Sequence, residues 1–454
     1  SNARSSALSY DEALRAILAQ GSASAVETVE LTDALGRALA EDVHSPLALP
    51  PWDNAGMDGY AVRRSDVSGA TSDSPMTLRV RGSIAAGADI STLDALAAGT
   101  AMRIMTGAPV PPGTDAVVRI EDTDRGLDVV QIVNDRDLAG RGNVRPRGED
   151  IARDAVVFEA GTTIGSSHLG TLASIGAARV RVYRRPRVTV LSSGDELVTV
   201  ERFDEVLAGR RIVSSSTYAL PALLRQAGAE VRVLPLLPDD PQAVTNAIRD
   251  AVESGCDLLV TTGGVSVGAH DYTRDALEAL GGTLGFWRAR IRPGGPIGTG
   301  SVLGIPWLGL PGNPVSTMVT GALFAWPLIR LMGGHRAHHH VLLPVRVAEA
   351  IETVAPLTYF VRVGLSVGDD GVLLASSAGP QGSNLLRTMA IAHALLVVPE
   401  SVSRVSAGMI LQVLLLPGAD FLGATIANVR EPAHAADSEP ARMSSLAANR
   451  STNV

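Results

Sequence analysis

The chain contains one cysteine, no lysine and few aromatic residues. Cys256 stands alone among 454 residues, which excludes an intramolecular disulfide and a metal site built from several cysteines. A cytoplasmic location fits such cysteine usage best. Because only 4% of the residues are aromatic, small aliphatic residues and glycine must fill the hydrophobic cores.

Long hydrophobic runs and an excess of basic residues are also missing. The longest apolar stretches are shorter than the roughly 18 residues that a membrane span needs, so we expect no membrane partner. The net charge of −8 argues against a nucleic-acid partner. Since every strongly basic side chain is arginine, any anion contact must use planar guanidinium groups.

The length and the hydrophobic pattern predict a multidomain α/β protein. Residues 7–45 and 141–182 are expected to form one discontinuous helical or linker domain, with short helices opening at Tyr10 and at Leu31. Residues 46–140 are rich in Gly, Pro and Val and contain short strand-like runs. We predict that they form an inserted β domain.

The second half of the chain alternates strands and helices. Over residues 183–333 this pattern predicts a doubly wound parallel βαβ sheet, whose ligands bind beyond the carboxyl ends of the strands. A strand-rich C-terminal β module is expected over residues 341–418. The link His335–His340 is expected to be exposed and solvated, and the polar tail 429–454 to be disordered.

One glycine-rich segment gives the strongest sign of a binding site. An apolar run, Leu258–Val260, ends in Thr-Thr-Gly-Gly and continues through Val-Ser-Val-Gly to Asp271. Paired glycines after a buried strand leave backbone N–H groups unobstructed, which suits a phosphate or another oxyanion.

Other acid and glycine motifs occur at strand ends and turns. Glu196 follows the first parallel strand, and Pro311-Gly312-Asn313 forms a strand-to-helix junction. In the first half of the chain, Asp58, Thr106 and Asp150 each lie in a special turn. Each of these three also has a plain alternative as a turn residue, a cap or part of an exposed salt bridge.

Three arginines alternate at Arg288, Arg290 and Arg292 before a Pro-Gly-Gly turn. On one strand all three would face the same side. Such a face is either solvated or an anion clamp, and the sequence leaves both alternatives open.

Taken together, these motifs resemble the molybdopterin molybdotransferase family, the MoeA-like proteins that include the gephyrin E domain. The segments that carry the resemblance are, in order, DNAGMDGYAV, RIMTGAPVPPGTDAVV, RGEDI, GDELV, TTGGVSVGAHDYT and LPGNPVS. The resemblance covers about residues 8–418. It implies an elongated homodimer whose active cleft lies between the βαβ domain of one subunit and the β domain of its partner.

The resemblance also implies a reaction and a set of site residues. Adenylylated molybdopterin and molybdate would be the substrates, Mg²⁺ the cofactor and AMP the released product. A molybdopterin adenylyltransferase and molybdoenzyme chaperones would be further partners. The implied catalytic residues are Asp58, Thr106, Asp150, Glu196 and Asp271; the substrate-binding residues are Gly263, Gly264, Ser266, Gly268, Arg288, Arg292, Pro311, Gly312, Asn313, Arg362 and Ser383; the metal ligands are Glu196, Asp271 and Asp239 or Asp240.

The chain departs from the family where lysines are usual, at Arg288, Arg292 and Gly295. Arginine keeps the charge but changes the donor geometry, whereas Gly295 loses a cation. Two rival hypotheses stand beside molybdenum insertion. One is a molybdopterin adenylyltransferase, an activity that uses the same βαβ fold, and the other is a non-catalytic molybdopterin-binding scaffold, which the missing lysines suggest.

Overall fold

The structure is a computed structural model that describes residues 7–264, 272–353 and 356–418. It confirms a multidomain α/β fold in which a doubly wound domain is combined with an inserted β domain and a C-terminal β module. The predicted site residues Ser266, Gly268 and Asp271 lie outside the described residues, as does the predicted tail.

A six-stranded sheet forms the centre of the second half of the chain. The first four strands in its order run parallel, but the last two are antiparallel to their neighbours, so the predicted all-parallel sheet is wrong at one edge. A two-residue turn, Leu303-Gly304, has positive φ at both positions and forces a hairpin there. The strand order is Glu230–Val233, Arg187–Ser192, Leu258–Thr262, Ile305–Leu310, Pro296–Val302 and Thr283–Arg288.

Helices cover both faces of this sheet, because alternate residues of its buried strands point to opposite sides. Helix Ser216–Gln226 and the helical run Pro314–Met332 pack on one face, against Val188, Val260 and Leu308. Helices Pro241–Glu253 and Tyr272–Ala279 pack on the other face, against Leu191, Leu259 and Trp307. Two smaller elements, a strand pair Leu197–Val198 with Ile212–Val213 and the short helix Phe203–Leu207, lie beyond the sheet.

Among the described helices, Pro314–Met332 is the one that is long and apolar enough to cross a membrane, judged by length and composition alone. Of its most apolar window, 78% is buried inside the protein, and a π-helical turn at Gly321–Ala325 lies in its middle. The burial is that of a core helix.

The N-terminal part begins with helix Tyr10–Leu18. Ser9 caps its first turn through a reciprocal pair of hydrogen bonds with Glu12. The predicted helix at Leu31 is a single 3-10 turn, Leu31–Asp33, and before it Val26–Glu30 is a strand paired with Arg179–Tyr183. The alternating β-branched residues of VETVE favour this extended ribbon. Helix Ser166–Ser174 belongs to the second half of this part, and a strand pair Val43–His44 with Val156–Phe158 joins the two halves.

The inserted part contains a five-stranded sheet. Its order is Ala116–Arg119, Gly59–Val62, Thr100–Ile104, Met76–Ile84 and Val129–Ile132. Asn54–Ala55 pairs with Val144–Arg145 beside it, and the short helix Arg64–Val67 packs at its edge.

The C-terminal module is a closed barrel, because its last strand in the order pairs back to an earlier one. The ring runs through Thr358–Val367, Leu373–Ser377, Leu342–Val347, Ile410–Leu415 and Ala394–Val398. Strand Ile291–Arg292 of the preceding part pairs with its first member, and the short elements Ile351–Glu352, Arg404–Val405 and helix Leu386–Ala390 complete it.

The histidine link differs from its prediction. His335 is only 5% exposed, and its Nδ1 lies 2.7 Å from Thr163 Oγ1. His340 stacks on Trp326 and donates from Nε2 to Ala322 O over 2.7 Å. These two rings are packing residues rather than solvated ones.

Burial, reinforced by nearby Arg330, lowers the pKa of His335 to about 3 from its ordinary 6.5. Between these values the unfolded chain binds more protons than the folded chain, so stability falls as the pH falls through this window. We predict that His335 alone lowers the free energy of unfolding by about 2 kcal/mol between pH 7 and pH 5.

Urea denaturation at both pH values measures this contribution. The His335→Gln variant should lose that part of the pH dependence, whereas His44→Gln, at an exposed position, should retain it. An unchanged pH dependence in His335→Gln would contradict the prediction.

Candidate functional site

A cleft of about 500 Å³ opens at the carboxyl ends of three neighbouring parallel strands. The loops at this edge follow the strands Arg187–Ser192, Leu258–Thr262 and Ile305–Leu310. Its lining residues lie between Ser193 and Pro314: Ser193, Gly194, Glu196, Leu197, Ile212, Val213, Ser214, Ser215, Ser216, Asp239, Thr262, Gly263, Gly264, Tyr272, Pro296, Pro311, Gly312, Asn313 and Pro314.

The floor of the cleft is built from glycine backbone. Gly263 and Gly264 have φ of 82° and 64°, which a side chain rarely tolerates. The Gly263 N–H donates to Leu310 O over 3.1 Å, and a Cβ on Gly312 would lie 3.5 Å from Gly263 Cα. Two loops therefore touch through their backbones, leaving the concave peptide surface on which anions bind.

Two of the predicted metal ligands, Glu196 and Asp239, line the same cleft. A Cβ on Gly194 would lie 2.7 Å from Glu196 Oε2, so this glycine lets the carboxylate lie against the backbone. Asp239 exchanges hydrogen bonds with Asp195: each backbone N–H donates to the other carboxylate over 3.3 Å. Both acids are thus placed by local geometry beside the glycine floor.

The electrostatic character of the cleft follows from its lining. Its charged members are the two carboxylates, and no arginine lines it in the part of the chain that the structure describes. An anion there would meet backbone N–H groups and hydroxyls. Sequence reasoning missed the hydroxyl wall of Ser214, Ser215 and Ser216, whose signal was a serine run between a short strand and a helix.

Asp240, the alternative metal ligand, has a different role. Its Oδ1 accepts from the Ala243 N–H over 2.7 Å and caps helix Pro241–Glu253. It does not line the cleft. Within residues 7–264, 272–353 and 356–418, no group of three or more His, Cys, Asp or Glu side chains is arranged to hold a metal ion.

The predicted residues Asp58, Thr106 and Asp150 lie away from the cleft, and hydrogen bonds join the first two of them. Asp58 Oδ1 accepts from both the N–H and the hydroxyl of Thr106, each over 2.7 Å. These two bonds lower the pKa of Asp58 below its ordinary value. Asp150 is exposed on a turn, and its backbone N–H donates to Leu49 O over 3.0 Å. Within one chain, none of the three lines the cleft.

The three arginines do not form one face. Strand Thr283–Arg288 ends at the first of them, and the next strand begins at Ile291, so the alternation is interrupted. Arg290 instead donates from Nε to Glu400 Oε2 over 3.1 Å. Arg292 lies over the Tyr359 ring, 5.7 Å from its centroid, and lines a second cavity of about 300 Å³ with Pro293, Gln381 and Gly382 among others.

Arg362, predicted to contact substrate, is fully buried. It donates to Thr388 Oγ1 over 2.8 Å and to the carbonyl oxygens of Pro380 and Gly382 over 3.0 and 3.1 Å. Its Nη1 has no hydrogen-bond partner among the described residues. In this structure Arg362 therefore holds the 380–382 loop, after which Ser383 O accepts from the Val315 N–H over 3.1 Å, next to the cleft.

Three protein-family models match the chain. Residues 8–176 match the MoeA N-terminal region (domain I and II), residues 189–331 match a probable molybdopterin binding domain, and residues 344–416 match the MoeA C-terminal region (domain IV).

Relatives and solved structures agree with these matches. The chain is 40% identical over 397 residues to molybdopterin molybdenumtransferase 2 of Mycobacterium tuberculosis, covering 85% of this chain and 94% of that protein. It is 35% identical to molybdopterin molybdenumtransferase of Haemophilus influenzae, covering 84% and 92%. A crystal structure of a molybdopterin biosynthesis MoeA protein from Pyrococcus horikoshii superposes with a TM-score of 0.77 at 26% identity, covering 90% of this chain and 100% of that one.

The hydrogen bonds to Asp58 give a prediction for its titration. Replacing Thr106 by valine removes the hydroxyl donor, so the pKa of Asp58 should rise toward its ordinary value, as measured by NMR of the carboxyl carbon. Asp89 is a matched reference, because Ser91 lowers its pKa through the same kind of bonds. In Thr106→Val the titration of Asp89 should not move, and an unmoved Asp58 would show that Thr106 does not act on it.

Proposed function

The chain belongs to the MoeA family, and on that premise we propose that it inserts molybdenum into molybdopterin during molybdenum cofactor synthesis. The proposed substrates are adenylylated molybdopterin and molybdate, with AMP as the product and Mg²⁺ as the cofactor. We place the reaction in the cytoplasm, since the single cysteine suits a reducing compartment.

One observation carries the proposal: two carboxylates lie beside a glycine floor in a cleft that arginine does not line, among the described residues. A phosphate on that floor and the carboxylates of Glu196 and Asp239 would repel each other without a cation between them. Their oxygens are the ligands that Mg²⁺ prefers, together with phosphate oxygens and water. Bound there, Mg²⁺ would neutralise charge on a phosphoanhydride as it breaks.

Groups of the chain itself would bind the phosphate and the molybdate. The backbone N–H of Gly312 orients the phosphate, and the serine wall can donate hydroxyl hydrogens to it. For molybdate we propose the second cavity, where Arg292 supplies a guanidinium. Glu352 also lines that cavity, so the oxyanion must lie on its arginine side.

We propose that a second copy of the chain brings its own Asp58, Thr106 and Asp150 to this cleft. Asp58 and Thr106 in the inserted domain, and Asp150 in the segment that follows it, are exposed and lie away from the cleft of their own chain. Apolar side chains flank both surfaces. Met57 and Met105 beside Asp58 are 38% and 40% exposed, and the cleft side carries Phe203, Leu207 and Ile212 at 48%, 79% and 56%. Such patches suit an interface that brings the inserted domain of one copy over the cleft of the other.

We predict that Asp58→Asn and Glu196→Gln each lower AMP release from adenylylated molybdopterin by about 100-fold or more, since each removes a carboxylate from the reacting centre. Asp89→Asn, an exposed aspartate in the same inserted domain, is the matched control and should keep full activity. AMP is measured by chromatography, and normal AMP release in both site variants would refute the assignment.

Mixing the two inactive variants tests the composite cleft. In a heterodimer of Asp58→Asn with Glu196→Gln, one cleft combines two intact residues, so up to about half of the wild-type activity per mixed dimer should return. If each cleft uses one chain alone, both clefts stay inactive and mixing restores nothing. Wild-type protein that binds its substrates but releases no AMP would favour a scaffold, whereas pyrophosphate formation from ATP and molybdopterin would favour an adenylyltransferase.

A further inference from the structure

A buried threonine lies behind the loop that carries Gly312. Thr317 belongs to the helical run Pro314–Met332, is completely buried and does not line the cleft. Its Oγ1 lies 2.5 Å from Pro311 O and 3.0 Å from Asn313 O. One hydroxyl hydrogen is therefore shared between two carbonyl groups of the same loop, and the contact with Pro311 is the shorter.

The contact between Thr317 and Pro311 determines the direction of the next N–H. The peptide that joins Pro311 to Gly312 is trans. In a planar trans peptide the C=O and the N–H point in opposite directions. The Pro311 carbonyl points inward to Thr317, so the Gly312 N–H points outward. Since Gly312 is an exposed residue of the cleft lining, this N–H faces the cleft.

The Gly312 N–H is also available to a ligand. It donates to no acceptor among the residues that the structure describes, whereas the Gly263 N–H on the facing loop is already bonded to Leu310 O. A phosphate on the glycine floor therefore finds in Gly312 a donor that needs no rearrangement of the fold.

Thr317 also contacts the serine wall. Ser216 Oγ donates to Thr317 Oγ1 over 3.4 Å, and both side chains are buried. Thr317 can accept this bond while it donates to the loop, because a hydroxyl carries one hydrogen and two lone pairs. One buried hydroxyl thus links the loop of Gly312 to the serine wall on the neighbouring helix.

We propose that Thr317 is a positioning residue for the phosphate in the cleft. Its hydroxyl holds the Pro311 carbonyl inward, and the Gly312 N–H is thereby aimed at the ligand. The inference rests on the function proposed above and deepens it, because it names a residue that acts without touching the substrate. Hydrogen bonds to charged oxygens are the stronger kind, so a misdirected N–H weakens phosphate binding.

Titration calorimetry of AMP in the presence of Mg²⁺ tests the proposal. Thr317→Val keeps the shape of the side chain and removes the hydroxyl, so it should weaken AMP binding by about tenfold. Thr317→Ser retains a hydroxyl and should bind AMP with nearly wild-type affinity. Wild-type affinity in Thr317→Val would overturn the positioning role and leave the proposed function intact. A wild type that binds no AMP would refute both.

Thr320→Val is the matched control. Thr320 is also completely buried, three residues further along the same helix, and its Oγ1 donates to Ser316 O over 2.7 Å without reaching the loop. Each valine variant removes a buried hydroxyl that bonds a carbonyl, so both should lower the midpoint of urea denaturation. AMP affinity should fall in Thr317→Val alone. Equal losses of AMP affinity in the two variants would show that Thr317 acts through stability and would overturn the proposal.

NMR of the Pro-Gly peptides observes the Gly312 N–H itself. Carbonyl-labelled proline combined with ¹⁵N-glycine selects four such peptides, whose glycines are Gly113, Gly294, Gly312 and Gly418. In the wild type, AMP with Mg²⁺ should move the Gly312 proton signal downfield, and in Thr317→Val this displacement should be lost. The other three signals are internal references.

The wild-type spectrum needs no variant, so it tests the proposal even if Thr317→Val does not fold. A Gly312 signal that AMP does not move in the wild type would overturn the proposal. The same displacement in Thr317→Val as in the wild type would overturn it as well.

Discussion

Backbone hydrogen bonds between three adjacent parallel strands determine where the cleft forms. In their register Ser192 lies beside Thr262, and Thr262 lies beside Leu310, so the residues that follow leave the sheet at one level. The buried hydroxyls of Ser192 and Thr262 lie 2.7 Å apart and help to fix this register. A slip by one residue would turn each strand's buried side chains to the opposite face and separate the loops.

The absence of lysine gives guanidinium groups several structural roles. Arg362 is buried and uses its planar donors to hold a loop of the C-terminal barrel, and Arg290 pairs with Glu400. A lysine at either position could not donate in several fixed directions at once. The cleft itself is lined by two carboxylates and by no arginine among the described residues, so the proposed function requires a divalent cation.

Much of the fold could be predicted from the sequence wherever local signals agree. Pro241–Glu253 begins with an aspartate cap and a proline and buries residues at helical spacing, so the sequence itself marks where this helix starts and which face it buries. Glu196, Gly263, Gly264 and Pro311 line one cleft, because the loops that follow neighbouring parallel strands meet at the carboxyl edge of the sheet.

The errors arose where tertiary contacts decide. The five residues Val26–Glu30 are extended because a distant strand pairs with them, and nothing nearby excluded a helix. His335 is buried and His340 half-buried by packing against other parts of the chain, which a polar stretch of sequence does not reveal. Asp240 and Asp239 are adjacent and chemically identical, so only the geometry of the helix start separates a cap from a cleft residue.

The proposed Mg²⁺ site at Glu196 and Asp239 is what would let the acidic cleft hold a phosphate. Calorimetric titration of AMP at increasing Mg²⁺ concentration tests this site directly. Mg²⁺ should strengthen AMP binding in the wild type and in the cap variant Asp240→Asn. The same dependence should be lost in Glu196→Gln combined with Asp239→Asn. AMP affinity that is the same with and without Mg²⁺ in the wild type would rule out a Mg²⁺ ion between the carboxylates and the phosphate.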